Sequence, residues 1–420
     1  MMTTKEQVHA AADTFISLAG AHIAPYLEAC VHCGQCAEAC HFHEVTGDPR
    51  YTPAYKLFPI ARAYRRARSP LNWIGLRHIT TEAEMAEWEE LIFDTCTMCG
   101  RCSTVCPMGI DIASIVAGVR TAYAAAGMGP PDLMQQAENV RKYYSPLKVT
   151  PDIFKGRLDW IEDEHDVVIP RDKKGAEVLL ISSSINIMKY PETLAAMVKL
   201  LTAAKVDWTM SSTGYEASNY GYESGKEDVA KIGLKRVVDA AVALGVKSVI
   251  IPECGHAYSV MRWDGANLLG HELPYQVFHG TEYLAKLKRE GKLHFKPIED
   301  KVTYHDPCQV SRRGGAEADA RELLSGFAPN FREMTPHGNY NWCCGGGGGV
   351  QSMGRAAELR HKVFEIKARQ VEAAGADTLI SACANCHLTL DESTKAMNWN
   401  GKLDSLVQML AANLVEDKAA

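Results

Sequence analysis

Residues 30–40 read CVHCGQCAEAC and residues 96–106 read CTMCGRCSTVC, two runs with the same spacing, C-x2-C-x2-C-x3-C. The x2 spacings let one tight loop point three thiolates at three irons of a single cube, while the fourth cysteine turns away. Zinc usually takes two separated C-x2-C pairs rather than four cysteines in eleven residues. The two runs therefore predict two [4Fe-4S] cubane clusters.

Each run is expected to lend its fourth cysteine to the other cluster, as in two-cluster bacterial ferredoxins. Cys106 would then complete the first site and Cys40 the second. Gly34 and Gly100 occupy the same place in each loop, where a missing side chain lets backbone amides approach the cluster sulfurs. The eight predicted metal ligands are Cys30, Cys33, Cys36, Cys40, Cys96, Cys99, Cys102 and Cys106.

The segment between the two runs has apolar residues every three or four positions, which predicts helices and a mainly helical unit. One departure from the ferredoxin pattern is that Cys40 is followed by His41 rather than proline. His41 and His43 could tune a cluster or accept protons. The alternative is that both are partly exposed polar residues.

The composition excludes several classes of protein. The 420 residues are 46% hydrophobic with a formal net charge of −6 and no long basic run, so we expect no nucleic-acid partner. No stretch is long and apolar enough for a membrane span, and the polar start lacks the order of a signal peptide. We therefore expect a cytoplasmic protein whose 14 cysteines are reduced and serve metal or redox chemistry.

From about residue 176 short β-rich runs alternate with amphipathic segments, which predicts an α/β region with largely parallel strands. The proline-containing stretch 129–174 before it is predicted to be a linker. The fold class expected for the whole chain is therefore a multidomain α+β protein. A helical domain that binds two clusters spans 1–128, and two α/β halves span 175–297 and 298–420.

The second α/β half carries five further cysteines at the ends of predicted strands. Loops at the carboxyl ends of parallel strands meet at one edge of a sheet, so these thiols should converge and bind a third cluster. Gly345 and Gly346 begin a glycine run that gives the backbone room to wrap a cofactor. A phosphate-binding loop is the alternative, but no Lys-Ser/Thr follows the run. The five cysteines are Cys308, Cys343, Cys344, Cys383 and Cys386.

The first half can be laid over the second. Ser182–Ser184, Ser211–Gly214 and Cys254 stand where the second half has its cysteines. We infer a duplication in which the first copy lost its cluster and kept only Cys254. The match of Ser-Ser-Thr-Gly to Cys-Cys-Gly could also be coincidence.

The paired C-x2-C-x2-C-x3-C runs followed by C-(x34)-CCG-(x37)-C-x2-C resemble the CCG-domain iron–sulfur proteins of the heterodisulfide reductase family. Within that group the histidine after Cys40 and the lone complete CCG motif most resemble DsrK-type and heterodisulfide-reductase-like subunits. The resemblance implies that the five C-terminal cysteines bind a [4Fe-4S] cluster, of cubane or non-cubane form, that reacts with a disulfide. It also implies partner subunits, either a quinone-linked membrane subunit or a flavoprotein, and attachment to the inner face of the membrane through such a partner.

Three functions remain open on the sequence. The first is disulfide reduction or dithiol oxidation at the C-terminal cluster, with a small molecule or a carrier protein as the substrate. Arg312 and Arg313 would then hold an anionic substrate or balance the cluster's charge. The alternative is that both arginines face solvent. The second is pure electron transfer for a flavin-dependent dehydrogenase or quinone-linked complex, as in glycolate oxidase and glycerol-3-phosphate dehydrogenase subunits. The third is a scaffold or redox sensor without turnover.

Overall fold

The computed structural model describes residues 5–18, 23–70, 81–217 and 219–415. A helical N-terminal unit is followed by two α/β halves, each built on a parallel sheet. The fold is thus the mixed α+β arrangement that was predicted. The outer domain limits predicted at residues 1 and 420 lie outside the described residues.

The N-terminal unit is mainly helical, as predicted. Its long helices α1 and α8 pack against each other, with Val116, Val119 and Tyr123 of α8 buried in the shared core. The described helices are α1 (Lys5–Leu18), α2 (Ala24–Ala29), α3 (Gln35–Glu38), α4 (His41–Thr46), α5 (Pro53–Arg68), α6 (Glu82–Glu89), α7 (Arg101–Thr104) and α8 (Ile112–Ala125).

The two cysteine runs fold in the same way. Gly34 precedes α3 and Gly100 precedes α7, and both have a left-handed backbone with φ of 83° and 75°. A left-handed backbone favours glycine, because glycine has no Cβ. The approach of the backbone amides to the cluster sulfurs stays a prediction.

The predicted linker at 129–174 is wrong as a description of this segment, because it folds into two helices, α9 (Pro131–Tyr143) and α10 (Pro151–His165). Leu133, Ala137 and Val140 line one face of α9 and are buried. Phe154 and Leu158 of α10 belong to the core of the α/β region. Proline begins each helix, where its missing N–H costs nothing, so the prolines are helix starts rather than signs of a linker.

The first half forms a four-stranded parallel sheet in the order β2-β1-β3-β4. Its elements are β1 (Val178–Leu180), α11 (Ser184–Met188), α12 (Pro191–Ala203), β2 (Trp208–Thr209), α13 (Tyr220–Ser224), α14 (Glu227–Leu244), β3 (Ser248–Ile251), α15 (Gly255–Ser259), α16 (Gly265–Leu269), β4 (Gln276–His279) and α17 (Gly280–Arg289).

The second half forms a three-stranded parallel sheet in the order β5-β6-β7. Its elements are β5 (Val302–His305), α18 (Glu317–Leu324), α19 (Ala357–Ala374), β6 (Thr378–Ser381), α20 (Ala384–Ala396), β7 (Lys402–Ser405) and α21 (Leu406–Ala412).

The two sheets correspond element by element. The order β1-β3-β4 in the first matches β5-β6-β7 in the second. Cys254 is the N-cap of α15 after β3, and Cys383 is the N-cap of α20 after β6. The halves also meet at these points, where the Ala384 N–H donates to the Glu253 carbonyl at 2.7 Å. This correspondence is what a duplication would produce, and the duplication remains our hypothesis.

Candidate iron–sulfur sites

One cavity of the N-terminal unit is lined by Cys106 together with three cysteines of the first run, Cys30, Cys33 and Cys36. Apolar side chains, among them Leu57, complete its wall. Four thiols around one cavity are the donor set that a [4Fe-4S] cubane takes. The cysteines that the spacing assigns to the first cluster are therefore brought together, including the one from the distant run.

A second cavity is lined by Cys40 and by three cysteines of the second run, Cys96, Cys99 and Cys102. The buried ammonium of Lys56 lies 3.9 Å from Cys40 Sγ and donates to the Thr95 carbonyl. A cation buried beside four thiols fits a site that holds an anionic cluster. The two cavities thus have the crossed composition that the sequence predicts.

The five C-terminal cysteines converge in the second half, where they form a third site that we call the CCG site. All five are at most 5% exposed, and they pack in one cluster of buried residues. Cys308 hydrogen bonds to Cys343, and Cys344 bonds to both Cys343 and Cys386. Their adjacency fits a cluster whose irons are bound by thiolates from three loops.

Backbone amides point at these sulfurs. The Gly345 N–H donates to Cys343 Sγ at 3.5 Å, and the Gly346 N–H bonds to Cys344. Hydrogen bonds from Cys386 and from backbone amides, including that of Gly255, lower the pKa of Cys383 to about 7. Hydrogen bonds from neighbouring thiols also lower the pKa of Cys343 and Cys344, whereas the pKa values of Cys308 and Cys386 are raised by the same contacts. Three of the five thiols thus favour the thiolate, the form in which cysteine binds metal.

The glycine run also serves close packing, which the sequence reading missed. A Cβ at Gly346 would overlap Thr389 Oγ1 of α20. A Cβ at Gly348 would lie 2.9 Å from the Thr97 carbonyl carbon, in the second cysteine run. The run therefore lies where the CCG site meets the N-terminal unit.

The second cavity and the CCG site share a wall. The nearest ligand atoms of His41, Cys99 and Cys343 all lie within 4.8 Å of one another, and all three residues are buried. Cys99 packs with the five CCG cysteines. His41 is only 2% exposed, so the expectation of a partly exposed residue is wrong for it, whereas His43 is half-buried as expected.

Arg312 makes protein contacts beside these sites. It donates to the carbonyls of Cys99 at 2.9 Å, Asn339 at 2.6 Å and Asn341 at 2.5 Å. Its guanidinium therefore joins the second cysteine run to the loop before Cys343, and its charge lies close to Cys99 and Cys308. Three of its N–H groups are engaged by these carbonyls, and its role toward a substrate or toward the cluster's charge stays a prediction.

Two buried cations near the sites were not found from the sequence. Lys367 is fully buried in α19 and lies near Cys343, Cys344 and Cys386; burial lowers its pKa to about 8. Arg120 is fully buried in α8. The signal was available for Lys367, because it stands four residues after Val363 and four before Val371, at a core position of the helix.

Further buried histidines and acids surround the CCG site. Both ring nitrogens of His305 lack a partner among the described residues, and this histidine lies within 4.8 Å of Cys344 and Cys386. Burial raises the pKa of Glu253 to about 8, and this residue accepts a hydrogen bond from the Ser405 hydroxyl at 2.8 Å. Burial also raises the pKa of Cys254 to about 12, so this thiol is not activated.

A cleft of about 410 Å³ opens beside the shared wall. Gly100 and Gln309, neighbours of Cys99 and Cys308, line it together with the aromatic residues Tyr222 and Trp263. Arg313 and Asp111 form an ion pair in it, with 3.5 Å between Nη1 and Oδ1. Its volume is in the range of small-molecule sites.

Comparison with known families agrees with this geometry. Residues 26–110 match the 4Fe-4S dicluster domain, and residues 302–391 match the cysteine-rich CCG domain. The first match contains both cysteine runs and the second contains all five CCG cysteines. None of the helices in the described part of the chain has the length and apolarity to cross a bilayer.

Similar proteins come from redox complexes. The chain is 29% identical to one of the subunits of the dihydromethanophenazine:CoB–CoM heterodisulfide reductase of Methanosarcina acetivorans, over 92% of this chain and 94% of that protein. It is 27% identical to an EtfAB:quinone oxidoreductase of Syntrophomonas wolfei, over 88% of this chain and 55% of that protein. It is also 27% identical to an Hdr-like menaquinol oxidoreductase iron–sulfur subunit of Archaeoglobus fulgidus, over 77% and 68%. The chain therefore has a 4Fe-4S dicluster domain and a CCG domain, and over most of its length it is similar to heterodisulfide reductase subunits.

Proposed function

We propose that this chain is an oxidoreductase subunit that relays electrons through two [4Fe-4S] cubanes to a third [4Fe-4S] cluster at the CCG site, where a disulfide is reduced or a dithiol oxidised. One observation carries the proposal, the contact of Cys99 with Cys343 across the shared wall. It makes the cysteines of the second cubane and of the CCG site neighbours. When bound, the clusters supply carriers that pass electrons singly.

The three sites differ in exposure, which indicates the site that a partner's redox centre can reach. Cys33 of the first site is exposed and its neighbour Val31 is 60% exposed, whereas the CCG cysteines are buried. The first site is thus the one that a partner's redox centre can approach. The burial of the CCG cysteines would protect charged intermediates at the last site from bulk solvent.

Disulfide reduction consumes two electrons and two protons and yields two thiols. The cleft beside Gly100 and Gln309 would bring a substrate to the Cys308 side of the CCG site. The Glu253 carboxyl holds a proton near neutral pH on the Cys383 side. These residues would orient a substrate and retain a proton beside the five cysteines.

The partners follow from the named relatives and belong to this proposal. A quinone-linked membrane subunit or a flavoprotein would exchange electrons with the first site, and a thiol/disulfide carrier would use the CCG site. The protein would act in sulfur or respiratory metabolism, on the cytoplasmic side of the membrane and held there through its partner. The closer likeness to DsrK-type subunits stays a prediction.

A second candidate is an electron-transfer subunit without a substrate of its own. Two observations favour it: the five CCG cysteines are at most 5% exposed, and the first α/β half has a single cysteine where the second has five. The CCG cluster would then be fully coordinated and shielded. The electrons would pass on to a quinone-linked partner.

The two candidates separate in one experiment. Iron is quantified in anaerobically purified protein, and electron paramagnetic resonance (EPR) spectra are recorded during oxidation with and without a thiol substrate. The variant is Cys343→Ala/Cys344→Ala, and Cys254→Ala is the matched control. About twelve irons and an oxidised-state signal that needs both thiol and the cysteine pair support the disulfide site. A third signal that ignores thiols leaves the electron-transfer subunit, and about eight irons refute both forms.

A further inference from the structure

His41 lies in the shared wall between two cluster sites. It follows Cys40 directly and begins α4, so its ring is carried to the Cys99 side of the second cavity. The ring is buried, and its Nε2 has no hydrogen-bond partner among the described residues. An unpaired buried N–H costs about 1–3 kcal/mol, so such a nitrogen is expected to have a partner in the loaded protein.

We propose that His41 couples the second cubane to the CCG site by donating its imidazole N–H to the cysteine sulfurs of the shared wall, with Cys99 as the acceptor. The inference rests on the proposed function and assigns a positioning residue to it. A ring nitrogen of His41 and the sulfurs of Cys99 and Cys343 all lie within 4.8 Å of one another. The imidazole thus lies beside ligands of both sites.

An imidazole carries at least one N–H to donate in either protonation state. Hydrogen bonds to cluster sulfurs are among the factors that set reduction potentials. A donated N–H stabilises the more negative, reduced cluster, so it raises the potential of the second cubane.

The test compares His41→Phe, which removes the donor but fills the space, with His41→Gln, which keeps an N–H. His43→Phe is the matched control, because it changes the other histidine of α4, which is half-buried and contacts the Asp48 carbonyl at 3.0 Å. The midpoint potential of each cluster is measured by EPR-monitored titration of the loaded protein, together with its iron content.

We expect His41→Phe to lower the reduction equilibrium constant of the second cubane about tenfold, which is 59 mV for a one-electron couple, with iron retained. His41→Gln should recover most of this shift, and His43→Phe should leave the potential unchanged. Equal potentials in His41→Phe and wild type overturn the inference. Loss of iron in both His41 variants also overturns it, since His41 would then be a ligand or a folding residue. The measured quantity is the potential of the second cubane, so the result does not depend on whether the CCG site reacts with thiols.

Discussion

Replacing Arg120 by methionine should severely destabilise the junction of the three units. Its buried guanidinium makes five hydrogen bonds, of 2.6 to 2.9 Å, to four carbonyls. Two acceptors, Ile92 and Cys96, belong to the N-terminal unit. The others are Glu223 of the first half and Gly348 of the glycine run.

The size of the effect follows from what is left behind. Hydrogen bonds from a charged donor contribute about 1.5–3 kcal/mol each, and removing the donor leaves four buried carbonyls unpaired. The loss of a buried cation offsets part of this, because burial already lowers the pKa of Arg120. We expect Arg120→Met to reduce the free energy of unfolding by about 4 kcal/mol, a large part of the 5–15 kcal/mol typical of a domain.

The assay is anaerobic urea unfolding of the loaded protein, followed by tryptophan fluorescence and by the visible absorption of the clusters. The control is Arg141→Met in α9, where the side chain is exposed and pairs with Asp228 at 2.5 Å and Glu138 at 3.2 Å. Exposed ion pairs contribute about 0–1 kcal/mol. Equal effects of the two substitutions would refute the assignment of Arg120 as the residue that joins the units.

Three further outcomes are expected. Cys106→Ala should remove the iron of the first site, about four atoms, and leave the second site loaded, whereas Cys40→Ala should do the reverse. EPR and iron analysis distinguish the two sites. Loss of the cluster that is bound by the other three cysteines of the substituted run would contradict the crossed pairing. Lys367→Met should lower the potential of the CCG cluster by tens of millivolts, because it removes a buried cation, and an unchanged titration would argue against that role. Burial raises the pKa of Glu223 to about 7 from an ordinary 4.5, so its folded form holds the proton more tightly and stability is lost as pH rises from 4.5 to 7. Relative to Glu223→Gln, the wild type should lose about 2 kcal/mol of unfolding free energy between pH 5.5 and 8, and parallel pH profiles would contradict this.

The cysteine sites could be predicted closely because their information is local. Spacing within each run fixes which thiols share a loop, and the known exchange of the fourth cysteine pairs Cys106 with the first run. The five CCG cysteines follow the ends of predicted parallel strands, and this topology alone predicts that they lie together. The structure brings together the same sets of thiols.

The contacts between sites could not be predicted in this way. Cys99 and Cys343 are far apart in sequence, and only tertiary packing makes them neighbours. The burial of His41 has the same origin, since α4 packs against α19 of the other end of the chain. The wrong prediction of a linker at 129–174 has another cause. The spacing of Leu133, Ala137 and Val140 indicates a helix, but the prolines were given more weight than this spacing.

The glycine run limits how chains of this kind can be recombined. Gly346 fits against Thr389, and Gly348 fits against the backbone at Thr97. Neither contact leaves room for a side chain, so each partner surface has to match the run at atomic distance. A graft between relatives that exchanges only one of the two cysteine-rich regions would break this match. The Thr97 loop, the glycine run and α20 have to be inherited together.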